Sequence, residues 1–227
     1  MSKRHNNALQ QRDSKSFYPL EEAVDILAKM PAAKFDETVE LSFNFLLDPR
    51  QSNQMVRGTL NLPHGSGKKV SVIVFTEKPD DALAAGADHA GFEDLIKKVQ
   101  DGWLDFDVAI STPSAMKEVR KVARVLGPRG LMPNPKSGTV TDDVAEAIKA
   151  VKAGRVEYKM DKTASMAVIV GKRSFAKDQL VDNLNAALDA VGKARPDGFK
   201  GRFIKNISIS STMSAGIRLD QSIYSSL

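Results

Sequence analysis

The sequence predicts an α+β domain assembled from the two ends of the chain, with a three-layer, Rossmann-like α/β domain inserted into it. Three observations carry this. Over residues 38–45 apolar residues alternate strictly with polar ones, the pattern of a strand with one wet face. Over 68–156 short β-branched runs alternate with helical periodicity, which is how a parallel sheet covered on both faces reads. Beyond 156 strand-like segments return around one long helix. The simplest assembly joins 1–67 to 157–227 and leaves 68–156 as the insertion. The chain then crosses between domains twice, which makes a natural hinge.

Each element has a local reason. The stretch before Leu20 reads as a polar N-terminal arm in which His5 is frayed. Leu20, Ala23, Val24, Leu27 and Met30 fall at helical spacing, and Pro31 stops the helix. Val39, Leu41, Phe43, Phe45 and Leu47 form the apolar face of the first strand. A partner strand follows over 55–62, interrupted by Gly58, and a turn-rich stretch over 63–67 ends it. Residues 70–75 are a strand buried on both faces. Helices are expected over 80–85, 92–100 and 114–126, with a strand over 106–110. A further helix spans 141–153, with Thr141 as its N-cap and Asp142 and Asp143 in its first turn. Strands then span 155–160 and 166–170. Ser174 caps a helix carrying Leu180, Leu184, Leu188 and Val191, and strands close the chain over 203–213 and 217–219.

Composition excludes several classes. With no cysteine in 227 residues, a disulfide scaffold, a thiolate zinc site and a cysteine nucleophile are ruled out. No apolar run approaches the roughly 18 residues of a membrane helix, and the start lacks the apolar core of a secretory signal. The expectation is a soluble, cytoplasmic protein. The three histidines, His5, His64 and His89, fit no zinc-binding frame. The acidic pairs at 80–81 and 142–143 lie at helix starts, where the macrodipole accounts for them. Residues 65–69, GSGKK, lack the glycine and the hydroxyl that a phosphate loop needs, and they precede a strand rather than a helix. No cofactor, no metal and no catalytic residue is expected.

The net charge is +5, and it is unevenly spread: zero over 1–66, +1 over 67–156 and +4 over 157–227. Lys117, Arg120, Lys121, Arg124, Arg129 and Lys136 stand against Glu118 alone. Lys193, Arg195, Lys200, Arg202 and Lys205 stand against Asp197. Phosphate backbones attract such clusters, although a solvated helix face and loop would look the same.

Three segments stand out. GPRGLMPNPKSGTV over 127–140 is a long loop stiffened by three prolines, and long loops inside compact domains tend to be functional. In FIKNISISSTM over 203–213, Ile207 and Ile209 face a core. Ser208 and Ser210 face outward with Thr212 continuing their row, and such hydroxyls can bond phosphates and ribose 2′-OH groups. In KFDETVE over 34–40, Phe35 is an apolar ring among charges. Aromatics are only 6% of the chain, too few for a stacking-based single-strand binder. A folded RNA read by shape is the better expectation.

These segments together resemble one family, the large-subunit ribosomal protein L-one of bacterial type. The motifs are AKFDETVE (33–40), DPR (48–50), VRGT (56–59), LPHG (62–65), DGWLDFD (101–107), the block 126–140, DKT (161–163) and STM (211–213). The resemblance implies the split domain with its insertion, and a protein of the ribosome's mobile side stalk. It implies that the split domain is the principal binder of large-subunit rRNA. By motif position, Lys34, Phe35, Glu37, Thr38, Asn206, Thr212 and Met213 become RNA contacts, beside Ser208 and Ser210. The six bases of the insertion become a secondary surface for more distant RNA. Ser214 stands where the family usually has glycine, which would allow closer backbone approach, and Ala167 stands where many relatives carry histidine. The resemblance further implies help in releasing deacylated tRNA from the exit site, repression of the protein's own mRNA, and a monomer when free of RNA. The competing readings are a nucleotide-dependent α/β enzyme and a nonspecific RNA chaperone.

Overall fold

The computed structural model describes residues 3–13, 16–196, 199 and 201–220. It divides into two compact units, Met1–Gly67 with Gly154–Leu227, and Lys68–Ala153. In chain order the strands are β1 (Thr38–Phe45), β2 (Arg57–Asn61), β3 (Val72–Phe75), β4 (His89–Gly91), β5 (Val108–Ser111), β6 (Arg155–Lys159), β7 (Ser165–Lys172), β8 (Ile204–Ser211) and β9 (Ile217–Arg218). The α-helices are α1 (Lys3–Gln10), α2 (Leu20–Lys29), α3 (Pro79–Ala84), α4 (Glu93–Gln100), α5 (Met116–Val119), α6 (Ala123–Leu126), α7 (Val144–Ala153) and α8 (Lys177–Lys193).

In the first unit β1 lies inside an antiparallel sheet of order β7-β1-β8-β9. Its strict alternation explains the placement, since Val39, Leu41, Phe43 and Phe45 are buried on one face while the other stays half-exposed. Helices α2 and α8 cover the buried face. Leu180, Leu184, Leu188 and Val191 of α8 return to that core once per turn. A two-stranded ribbon, β2 with β6, joins the same core through Leu60, Tyr158 and Met160. Gly58 sits opposite Tyr158. A Cβ there would stand 2.5 Å from the tyrosine oxygen, so only glycine admits the ring. That ring's hydroxyl then donates to the Ala190 carbonyl of α8 at 3.2 Å.

In the second unit a parallel sheet of order β4-β3-β5 has both faces covered. Val72, Val74 and Ile110 pack on α3 and α7; Ile73, Phe75 and Ala109 pack on α4, α5 and α6. All four residues of β3 are buried, which explains its uninterrupted apolar run. Asp107 accepts the Ser71 N–H at 3.1 Å and Asp88 the Val72 N–H at 2.9 Å, closing the strand's open end.

Several elements differ from the sequence reading. The polar arm is helix α1, held by buried Ala8 and by Leu9 packed on the core; two apolar residues are too few to show as a periodic pattern. Strand β4 is three residues long and went unforeseen. The helix expected over 114–126 breaks into α5 and α6 around a 3-10 turn at Arg120–Val122. Val119 and Val122, three apart and both buried, align on the tighter helix. Helix α7 begins at Val144, so Thr141 is not its cap. The Asp143 carboxylate accepts the Glu146 N–H at 3.0 Å instead. Nor does Ser174 cap α8: its hydroxyl donates to Asp36 at 2.7 Å. Gln179 accepts the Ala176 N–H at 3.1 Å at the actual helix start. Residues 154–156 belong to the first unit rather than to the insertion, because Arg155 and Val156 already pair with Asn61 and Leu60.

The crossing is tightly built. Gly154 has φ +112°, and a Cβ on it would lie 2.4 Å from Gly65 Cα. Gly154→Ala is therefore expected to destabilise the chain by about 2 kcal/mol or more, through left-handed strain and backbone collision together. Equilibrium denaturation in urea checks this, and an unchanged midpoint would refute it.

Candidate nucleic-acid interface

The register of the first sheet sets its outer face. Ser42 lies opposite Ala167 on one side and Ser208 on the other; Asn44 lies between Ser165 and Asn206; Glu40 lies between Ile169 and Ser210. Ser208 is in turn opposite Arg218. Ile207 and Ile209 point into the core, with 1% and 0% exposure. Their outward neighbours Asn206, Ser208 and Ser210 are half-buried. Ser42, Asn44, Ser165, Asn206 and Ser208 line an open cavity of about 430 Å³, together with Lys159, Asp161 and Arg218. The face thus holds short hydroxyls and carboxamides, two cations and a carboxylate. Asp161 itself is engaged. It accepts the Thr163 hydroxyl and the N–H groups of Thr163 and Ser165, and these bonds hold its carboxyl below the ordinary range.

Of this set, the sequence reading contained Asn206, Ser208 and Ser210. Ser42 and Asn44 were legible as wet-face residues from their alternation, but only the ladder joins them to β8. Lys159, Ser165 and Arg218 carried no sequence signal for this placement, because pairing partners far apart in the chain bring them there.

A second group gathers where β1 begins and β8 ends. Lys34 and Phe35 are exposed, Phe35 by 55%, and Thr212 and Met213 are exposed, Met213 by 49%. Thr212 lies just past the end of β8. It donates its N–H to the Thr38 carbonyl at 3.0 Å and accepts the Thr38 N–H on its hydroxyl at 3.0 Å. The Thr38 hydroxyl accepts from Lys172 at 2.8 Å. Glu37 differs from the rest: it is fully buried, so it has no surface with which to touch a ligand. Its carboxylate accepts from Ala33, Ser211 and Met213 and lies 3.6 Å from Arg173. Burial alone would push this carboxyl up. The bonds from Ser211, Ala33 and Met213, with the Arg173 charge, outweigh it, and the net shift is downward. Ser214 is folded into the same turn, accepting the Ser211 N–H on its hydroxyl at 2.8 Å.

Lys117, Arg120, Lys121, Arg124, Arg129 and Lys136 all lie on the second unit and all are exposed. Lys121 is paired with Glu118, and the bond and charge of that carboxylate raise its pKa. The loop bearing Arg129 and Lys136 is organised around Asn134. The Asn134 side chain accepts the Lys136 N–H at 2.8 Å, and its carbonyl accepts the Ser137 and Thr139 hydroxyls. The loop is thus a built turn. In the other basic stretch Arg195 and Arg202 spend their guanidinium groups on backbone carbonyls. Lys200 and Asp197 lie outside the described residues.

The glycine-rich stretch GSGKK is a connection. Buried Asn183 accepts the His64 N–H at 3.1 Å and donates to the Gly65 carbonyl at 3.0 Å. His64 pairs with Asp182 at 2.9 Å, and His89 meets Trp103 edge-on. Among the described residues no three His, Cys, Asp or Glu side chains form a metal-holding group, and no helix is long and apolar enough to cross a membrane. What the first sheet offers is hydrogen bonding to a polar partner, from a rigid face with a mixed donor and acceptor set.

Residues 27–215 match the Ribosomal protein L1p/L10e family. The chain belongs to that family. One relative, the large ribosomal subunit protein uL1 of Kosmotoga olearia, is 52% identical over 221 residues, covering 96% of both chains. The protein of the same name from Lactobacillus acidophilus is 46% identical over 220 residues, again covering 96% of each.

The lowered pKa of Glu37 has a consequence for stability. A carboxyl depressed in the folded state contributes stability above its unfolded pKa, near 4.5, and loses it as pH falls through the folded value. Glu37→Gln is expected to cost about 1–3 kcal/mol at neutral pH, where it leaves buried donors mispaired. The gap in Tm between wild type and variant should shrink as pH drops from about 6 to about 3. A gap independent of pH would contradict this.

Proposed function

We propose that the chain is a structural constituent of the large ribosomal subunit and binds large-subunit rRNA at the mobile side stalk, mainly through its first unit. The observation that carries the reading is the outer sheet face with its Phe35–Met213 corner, in a chain whose family and near-full-length relatives are ribosomal. Short hydroxyls and carboxamides suit a folded RNA. They lose little rotamer freedom on binding, reach 2′-OH groups, and let the backbone approach closely. Lys34, Phe35, Thr38, Asn206, Ser208, Ser210, Thr212 and Met213 are the contacts in this reading, joined by Ser42, Asn44, Lys159 and Arg218. Glu40, facing outward among hydroxyls, supplies an acceptor for 2′-OH or base amino groups rather than for phosphate.

The exposed bases of the second unit form a weaker electrostatic surface for more distant RNA, including exit-site tRNA, whose release the protein assists. The same first-unit surface recognises the protein's own mRNA and represses its translation. Both of these parts of the proposal rest on family membership. The protein acts by binding, with no cofactor and no bond made or broken, and it works with ribosomes in the cytoplasm. Free of RNA it is a monomer.

Filter-binding titration with a side-stalk rRNA fragment tests this. Thr212→Ala and Met213→Asp are each expected to weaken binding by about tenfold while the fold survives, the size of one hydrogen bond to a charged group or one lost apolar contact. Replacing 68–153 by a short linker should retain most of the affinity. Affinity should fall with salt, but less steeply than for a purely electrostatic binder. Wild-type affinity in both point variants would defeat the reading, as would equal binding to a scrambled hairpin.

A further inference from the structure

A glutamate is almost never fully buried unless it is paired, and Glu37 is fully buried. Its oxygens face donors from three separate segments. Oε1 accepts the Ala33 N–H at 2.6 Å and lies 3.6 Å from Arg173 Nη1. Oε2 accepts the Ser211 hydroxyl, and the Met213 N–H at 3.2 Å. Arg173 also donates to the Ala28 and Met30 carbonyls, where α2 ends, and its own N–H donates to the Glu37 carbonyl at 2.8 Å. The carboxylate therefore ties the loop bearing Lys34 and Phe35 to the turn bearing Thr212 and Met213.

Phe35 and Met213 are two of the most exposed large apolar side chains among the described residues. Core packing cannot hold side chains that are half in solvent. Their placement comes from the backbone beneath them, and the Glu37 carboxylate bonds both pieces of it, beside the Asp36–Ser174 bond on the loop and the Thr212–Thr38 bonds on the turn. Only an ionised carboxylate can accept this many donors at once. A carboxamide would turn one acceptor oxygen into a donor and set it against either Ala33 and Arg173 or Ser211 and Met213.

We propose that Glu37 is a positioning residue for RNA binding, latching the 33–36 loop to the 211–214 turn so that Phe35 and Met213 form one preordered contact surface, without itself touching RNA. This rests on the reading of that corner as RNA-binding. Preordering lowers the conformational cost that a ligand must otherwise meet.

A double-mutant cycle on the full chain separates this from general stability, with a side-stalk rRNA fragment as the probe. Glu37→Gln should lower affinity about tenfold, and so should Phe35→Ala with Met213→Ala. The triple variant should bind within about twofold of that pair, because the latch no longer has anything to position. Wild-type affinity for Glu37→Gln overturns the latch. An equal loss in both backgrounds overturns positioning in favour of a merely structural role. Wild-type affinity for the Phe35 and Met213 pair overturns the underlying surface reading instead, which keeps the two failures distinct. Should Glu37→Gln not melt cooperatively, Ser211→Ala takes its place. It removes one donor and keeps the charge, and is expected to cost about threefold in the wild-type background and nothing in the pair. Wild-type affinity for Ser211→Ala alone would overturn the proposal.

Discussion

Val39, Leu41, Phe43 and Phe45 must leave water together, and β1 can bury them only by turning Thr38, Glu40, Ser42 and Asn44 the other way. Side chains alternate with a period of two, so a slip of one residue would exchange the faces. With β7 and β8 both paired to β1, that single constraint propagates across the sheet. It sets Ser208 beside Ser42 and Asn206 beside Asn44, and through β9 it sets Arg218 beside Ser208. The outer face is therefore as well determined as the core. Its hydroxyls and carboxamides are short and carried on a ladder, so they are ordered before any partner arrives.

Where the ladder ends, electrostatics takes over. The strand register reaches Ser211 but says nothing about the loop before β1 or the turn after β8. Three hydrogen bonds to the Glu37 carboxylate and the nearby Arg173 charge, with the Thr212–Thr38 bonds beside them, close that corner. The arrangement also shows why an unbroken run of charge and apolarity such as KFDETVE can serve two purposes. Lys34 and Phe35 face solvent while Glu37, two residues on, is sealed inside.

The second unit obeys a different rule. Its parallel strands need cover on both faces, and two separate apolar clusters supply it. No residue of those clusters comes from the first unit. Its outward chemistry is carried by exposed bases and by a turn braced on Asn134.

The long, strongly periodic elements were legible in the sequence alone: β1, β3, α2, α4 and α8 follow from the spacing of their apolar residues, because burying a face is a local demand with a local signature. So was the wet-face row of β8. Short elements held by contacts from elsewhere were not legible; α1 and β4 exist because tertiary neighbours accept them. The start of α7 depends on which nearby polar group takes the Glu146 N–H, and Ser174 is drawn to Asp36, far away in the chain. Glu37 enters the expected contacts by its position in the KFDETVE motif, which carries no sign of its burial. Only the folded chain brings Ser211, Met213 and Arg173, all more than a hundred residues away, around it. Sequence determines which residues must be buried and which side chains share a strand face. Tertiary structure alone decides which distant groups meet, since hydrogen bonds across such separations leave no periodic trace along the chain.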